Sequence, residues 1–209
     1  VSPATAASIA AWIVVKSSGS ILNPAICDDT FAAISLAKGL GSAVKTEKNK
    51  LLINGDFKKV STQLSAGESG LALRMFSPIA ALLENKINIS GVGSLLKRPV
   101  SMMESPLISL GVKFESNNGF LPVQIQGPLK GGSITIDGGL GSQFLTGLLI
   151  SLPLADEDSI LTVNNLQSIP YINMTLEIIN DFGVNIENIN HEKFIIKGNQ
   201  NYKTTNYTV

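Results

Sequence analysis

Apolar residues fall along this chain in two alternating textures. Residues 3–15, 70–83 and 142–154 are apolar almost all round, which predicts helices buried on every side. Between them come short runs such as Ser133-Ile134-Thr135-Ile136, alternating as a half-buried strand does. Strands are expected after the three helices at 20–22, 87–89 and 159–163. Two more precede the second and third helices, at 59–64 and 133–136.

A longer pattern repeats beyond each of those strands. Segments beginning at Asp28, Arg98 and Pro170 each read as a helix closed by a glycine (Gly41, Gly111, Gly183). Two strands and a second glycine (Gly55, Gly127, Gly198) come next. The helix-closing glycines recur at roughly 70 residues, the size of a whole supersecondary unit, and sit where a left-handed C′ residue is expected. The pattern predicts an α/β fold of three βαβαββ units, at about 1–57, 58–130 and 131–200, forming a single domain. Buried helices lie inside and small mixed sheets outside. The first strand of the first copy is missing or very short, and Tyr207-Thr208-Val209 reads as a strand with nothing to join.

Composition narrows the function. Apolar residues make up 44% of the 209 and charged residues 15%, as in a globular chain with a large core. Lys+Arg and Asp+Glu are both 16, which argues against a nucleic-acid partner. No apolar run reaches a membrane span. Cys27 is the only cysteine, so no internal disulfide forms, and a reducing, cytoplasmic setting is expected. Its expected role is a small buried hydrophobe. His191 is also alone, in a polar stretch that reads as a hairpin tip with a solvated ring. One His and one Cys exclude the usual zinc sets. Lys45, Lys48, Lys50, Lys58 and Lys59 are expected on exposed hairpins. The chain starts at Val1, not methionine, which suggests a piece of something longer.

The stretch 131–153 carries the first candidate chemistry. A strand, a turn with Gly138, Gly139 and Gly141, and an apolar helix with Ser142 as N-cap present free N–H groups to an anion. The same residues also read as a plain helix cap without a ligand.

Further residues extend that site. They are Asp28-Asp29-Thr30, Ser69-Gly70 with Arg74, Lys97-Arg98-Pro99, Asp137-Gly138 with Ser142-Gln143-Phe144-Leu145-Thr146, and Ser168-Ile169-Pro170-Tyr171 with Phe182-Gly183-Val184. In this order and spacing the set resembles the enolpyruvyl transferase family, and within it the 5-enolpyruvylshikimate-3-phosphate synthase branch. The resemblance implies one half of an inside-out α/β barrel, the half carrying most shikimate-3-phosphate contacts. Those enzymes move the enolpyruvyl group of phosphoenolpyruvate to the 5-hydroxyl of shikimate-3-phosphate, releasing phosphate, with no metal or organic cofactor. It further implies that Ser142, Gln143, Ser168 and Tyr171 contact shikimate-3-phosphate, and that Gly70, Arg98 and Gln143 contact phosphoenolpyruvate. Arg74 is a supporting residue or an ion-pair partner. No catalytic residue is expected in these 209 residues. The proton-transfer groups belong to a second domain, the expected partner, and the complete enzyme is expected to be a monomer. The isolated chain is expected to bind without turnover.

Three departures stand out. The family opens with Ser-Lys-Ser and then an arginine, whereas residues 3–9 hold neither lysine nor arginine, and Lys16 lies at the far end of the helix. Gly141 replaces a serine. Glu68 puts a negative charge near an intended anion pocket. They leave open a degenerate homologue that only binds or supports structure. A relative of UDP-N-acetylglucosamine enolpyruvyl transferase shares the fold, but Ser142-Gln143 and Ser168 with Pro170-Tyr171 favour the shikimate branch.

Overall fold

The computed structural model describes residues 2–15, 17–55, 59–204 and 206–209. The readings of Lys16 and Lys58 lie outside the described residues. The first unit comprises helix Ser2–Val15 (α1), strand Ser18–Leu22 (β1), helix Asp28–Gly39 (α2) and the hairpin Ala43–Glu47 (β2) and Lys50–Asn54 (β3). The second has Gln63–Ser65 (β4), Gly70–Ala80 (α3), Ile87–Ser90 (β5), Glu104–Ser109 (α4), Lys113–Asn117 (β6) and Phe120–Gln126 (β7). The third has Gly132–Asp137 (β8), Ser142–Ser151 (α5), Ser159–Asn164 (β9), Ile169–Asp181 (α6), Ile186–Ile189 (β10) and Lys193–Ile196 (β11). Strand Asn206–Thr208 (β12) comes last.

The strands form three sheets of one design: β12-β1-β3-β2, β4-β5-β7-β6 and β8-β9-β11-β10. In each, an edge strand pairs parallel to its neighbour and the remaining pairs are antiparallel. This corrects the reading of the C-terminus as unpaired. Tyr207 is in register with Ile21, and the Val209 N–H donates to the Leu22 carbonyl at 3.1 Å. The last strand thus fills the place left empty in the first unit.

The three apolar helices α1, α3 and α5 pack on one another inside the sheets. On α5, Leu145, Leu148, Leu149 and Ile150 are fully buried, each worth about 1.5–3 kcal/mol over leaving it exposed. Trp12 of α1 meets Phe182 edge-on, with ring centroids 5.2 Å apart.

The two repeated glycines do different work. Gly41, Gly111 and Gly183 have φ of +100°, +83° and +80°, and the next residue donates back to Ala37, Leu107 or Ile179, which closes the helix in a left-handed cap. Gly127 instead lies under the end of α3, where a Cβ would stand 1.9 Å from the Ala81 carbonyl oxygen. Gly55 and Gly198 meet carbonyls of Ile13 and Glu157 in the same way.

The second helix of the middle unit is shorter than its pattern predicts. Arg98 is extended (φ −92°, ψ 129°), as a residue before proline must be, and a 3-10 turn Ser101–Met103 precedes the six-residue α4. The Val100 N–H is spent on the Gly119 carbonyl.

The helix starts share one end of the molecule. Leu129 donates to Ala81 at the end of α3, so β8 begins there and α5 starts at the opposite end, level with the start of α3. Because β9 runs parallel to β8, α6 starts there too. The Ser69–Asp29 hydrogen bond joins the starts of α3 and α2. The Ala25 N–H, donating to Thr5 Oγ1 at 3.0 Å, brings in α1.

Candidate functional site

Gly70 is the first residue of α3, and the space where its side chain would be is taken by two arginines. A Cβ there would lie 2.8 Å from Arg74 Nη1 and 3.1 Å from Arg98 Nη1. Arg74 is half-buried and its Nε has no hydrogen-bond partner among the described residues. Its Nη2 makes only a long approach, 3.5 Å, to the Pro99 carbonyl. Burial first, and then the charge of Arg98, push its pKa down. No carboxylate among the described residues is within ion-pair distance of Arg74, so the ion-pair reading finds no partner there. Two like charges aimed at one point favour an anion between them.

Arg98 is exposed and ends the 3-10 turn Gly93–Lys97, so it does not open a helix as a residue before Pro99 could have done. Glu68 is not aimed freely at the pocket. Its Oε2 accepts the Ser94 N–H at 2.9 Å, and hydrogen bonds from Ser94, aided by the Arg98 charge, hold its carboxyl below the usual range. Next to it, Ser69 caps α3 by accepting the Ala72 N–H at 3.0 Å, and its hydroxyl donates to Asp29 Oδ1 at 2.5 Å.

At the start of α5 the N-cap is Gly141, not Ser142, which corrects the expected cap by one residue. With φ +121° at that position, a Cβ would come 2.6 Å from Gln143 Oε1. A side chain at 141 would be strained by this conformation and would require the flexible Gln143 side chain to move. Because the cap carries no side chain, the first-turn N–H groups of α5 receive no capping bond, unlike those of α3. The plain-cap reading thus lacks its capping bond. Asp137 accepts the Gly139 N–H at 2.9 Å and shapes the approaching turn. A cavity of about 200 Å³, lined by Ser101, Met102, Ser105, Thr135, Asp137 and Phe144 among others, flanks this helix start.

Ser168 is the N-cap residue of α6, yet its side chain makes no capping bond and remains available. Tyr171 is 46% exposed, which excludes a core role. At the α1 end, Thr5 Oγ1 is occupied by Ala25. Cys27 is half-buried at the N-cap of α2, with Sγ 3.5 Å from Thr30 Oγ1, rather than a buried hydrophobe. His191 is at the β10–β11 tip, 2.6 Å from Asn173 Oδ1.

Arg74 and Arg98 therefore both reach the side-chain space of Gly70, while Ser142, Gln143, Ser168 and Tyr171 stand at neighbouring helix starts on the same end. Among the described residues no hydrogen bond joins these four side chains to the arginines. Sequence reasoning missed the Asp29–Ser69 and Glu68–Ser94 bonds. For the second, the glycines at 91 and 93 flanking Val92 were the available signal.

The family model of EPSP synthase (3-phosphoshikimate 1-carboxyvinyltransferase) matches residues 2–209. The chain belongs to the EPSP synthase family. It is similar to the 3-phosphoshikimate 1-carboxyvinyltransferase of Clostridium perfringens, 40% identical over 198 residues, covering 93% of this chain and 47% of that protein. The Clostridium beijerinckii relative is 38% identical over 192 residues, covering 87% and 44%. The solved EPSP synthase of Acinetobacter baumannii superposes with a TM-score of 0.85 at 20% identity, covering 99% of this chain and 47% of that one, a likeness of fold. The chain spans about half the length of these EPSP synthase relatives. No helix among the described residues is long and apolar enough to cross a membrane.

Proposed function

We propose that residues 1–209 act as one domain of three repeats within a 3-phosphoshikimate 1-carboxyvinyltransferase. The domain binds shikimate-3-phosphate and one face of phosphoenolpyruvate. The reaction joins the 5-hydroxyl oxygen of shikimate-3-phosphate to C2 of phosphoenolpyruvate. C3 gains a proton in that addition; expulsion of inorganic phosphate from the tetrahedral adduct with loss of a C3 proton then forms the enol ether. Proton transfer falls to groups outside these residues, in a second domain that is this chain's partner, and no metal or organic cofactor takes part. The cytoplasm is the proposed setting.

One observation carries the reading: a family match across the whole described chain coincides with two guanidinium groups converging on Gly70. Arg98, with its planar fork, grips the carboxylate or phosphate of phosphoenolpyruvate, and Arg74 adds charge from below. Ser142 and Gln143 at the open start of α5, with Ser168 and Tyr171 at α6, take the shikimate-3-phosphate. Each is placed where N–H groups and helix dipoles already favour anions. The relatives' identity favours this reading over the UDP-N-acetylglucosamine and degenerate alternatives. The altered α1 end, without lysine or arginine, lowers affinity by two charge-assisted contacts of about 1.5–3 kcal/mol each.

Calorimetric titration of the chain with shikimate-3-phosphate tests the proposal. Binding that Gln143→Ala abolishes is the expected result; no heat up to about 1 mM ligand overturns it. Phosphate release by this chain alone would overturn the assignment of proton transfer elsewhere.

A further inference from the structure

Glu68 is an acidic side chain set beside the anion pocket, and its surroundings give it a task. The turn Gly91-Val92-Gly93 is stitched to the start of α3 at two points. The Val92 N–H donates to the Gly67 carbonyl at 2.8 Å, and the Ser94 N–H donates to Glu68 Oε2 at 2.9 Å. Gly93 has φ +58°, and a Cβ on it would fall 2.3 Å from the Glu68 carboxylate, so the carboxylate lies directly on the backbone of the 3-10 turn. That turn ends at Arg98, whose N–H donates to the carbonyl of fully buried Leu95. Arg98 in turn reaches the space above Gly70, two residues along from Glu68.

We propose that Glu68 is a positioning residue. Its carboxylate straps the Gly93–Lys97 turn onto the start of α3, and so holds the Arg98 guanidinium over Gly70, where it meets a carboxylate or phosphate. The proposal rests on Arg98 as a phosphoenolpyruvate ligand, the role proposed for it as part of the domain's function. The strap needs a hydrogen-bond acceptor at position 68, and the negative charge is dispensable. Glu68→Gln keeps an acceptor for Ser94 and removes a charge that opposes the incoming anion. Glu68→Ala removes both.

The two variants separate the roles. Phosphoenolpyruvate is titrated into the chain with shikimate-3-phosphate present. Glu68→Ala is expected to weaken its binding by about tenfold to a hundredfold, the scale of a displaced ligand group. Glu68→Gln matches or exceeds the unaltered chain. If both variants bind more tightly, Glu68 is only a repelling charge and the proposal fails; if neither changes, it fails as well. Amide hydrogen exchange without substrate is the second readout. Exchange at Ser94 and Arg98 accelerates by about tenfold or more in Glu68→Ala and stays slow in Glu68→Gln. Unchanged exchange in the alanine variant overturns the strap. Should the unaltered chain take up neither substrate, the functional reading falls, and the exchange data alone then decide whether Glu68 holds the turn that carries Arg98.

Discussion

Gly147 on α5 faces the Met75 carbonyl oxygen on α3 with no room for a side chain: a Cβ would stand 2.3 Å from that oxygen and 3.0 Å from its carbon. Both atoms belong to backbone, so neither can rotate away. The approach holds two of the three buried helices together five residues below their starts, and thereby sets the distance between the Gly70 and Ser142 ends of the site. Gly147→Ala gains helix propensity of about 0.8–1.0 kcal/mol. The overpacking cost of about 1–3 kcal/mol or more exceeds it. A net loss of stability is expected in urea unfolding; an unchanged or raised midpoint would show that the helices separate freely.

Ser69 joins two units by serving two partners at once. It accepts from the Ala72 N–H and donates to Asp29. Ser69→Ala is expected to cost about 2–3 kcal/mol, a helix cap plus part of a hydrogen bond to a charged group. Ser69→Asp keeps a capping acceptor but sets a second carboxylate against Asp29, so it should be no more stable than the alanine variant. Recovery of full stability by aspartate would show that the cap alone matters.

Much of this arrangement was legible in the residues. Apolar texture around Ala6–Val14, Ala72–Ala80 and Phe144–Ile150 named the buried helices, because a helix enclosed on all sides needs no amphipathic period. The paired glycines named the unit, since a left-handed cap favours glycine and a close backbone crossing leaves no room for a Cβ. Long-range pairing was not legible. Three residues at 206–208 have no local signature that selects β1 as their partner, roughly 185 positions away. The site divided in the same way. Gly70 and Arg98 could be singled out as residue types, but the convergence of Arg74 and Arg98 depends on how Pro99 redirects the chain. Likewise, an acidic residue before Ser69 reads as repulsion until the Ser94 N–H it accepts is in view.

Asp158 and Lys197 make a pH-dependent clasp at the far end of the third sheet. Asp158 Oδ2 accepts from Lys197 Nζ at 2.6 Å, and its Oδ1 accepts the Gly198 N–H at 3.0 Å. Lys197 first, then Gly198, holds the carboxyl below its ordinary range, while Asp158 raises the lysine. A lowered carboxyl contributes fully above its unfolded value and loses that contribution as pH falls through the folded one. A raised lysine contributes below its unfolded value and loses it as pH rises past the folded one. The clasp is therefore complete from about pH 4 to about pH 10. Both side chains are exposed, so the effect on global stability is small. The Gly198 amide proton is the sensitive probe. Its chemical shift should titrate with an acid midpoint below that of an ordinary aspartate, and lie flat in Asp158→Asn. A midpoint at or above the ordinary value would mean that the clasp does not form in solution.

Arg98→Lys tests the site itself, because it keeps the charge and removes the fork. A guanidinium can offer two parallel N–H donors to a carboxylate or phosphate, whereas an ammonium offers a single compact charge. The position is exposed and ends a short turn rather than packing in the core, so the substitution should leave folding unchanged. Phosphoenolpyruvate affinity is expected to fall by about tenfold to a hundredfold, the equivalent of losing one charge-assisted hydrogen bond of about 1.5–3 kcal/mol. Shikimate-3-phosphate affinity, read by separate titration, should stay nearly constant, since its proposed contacts lie at the starts of α5 and α6. A parallel fall in both affinities would place Arg98 in a shared scaffold; no fall in either would remove it from the site and leave Arg74, whose Nε has no hydrogen-bond partner among the described residues, as the cation that the pocket is built on.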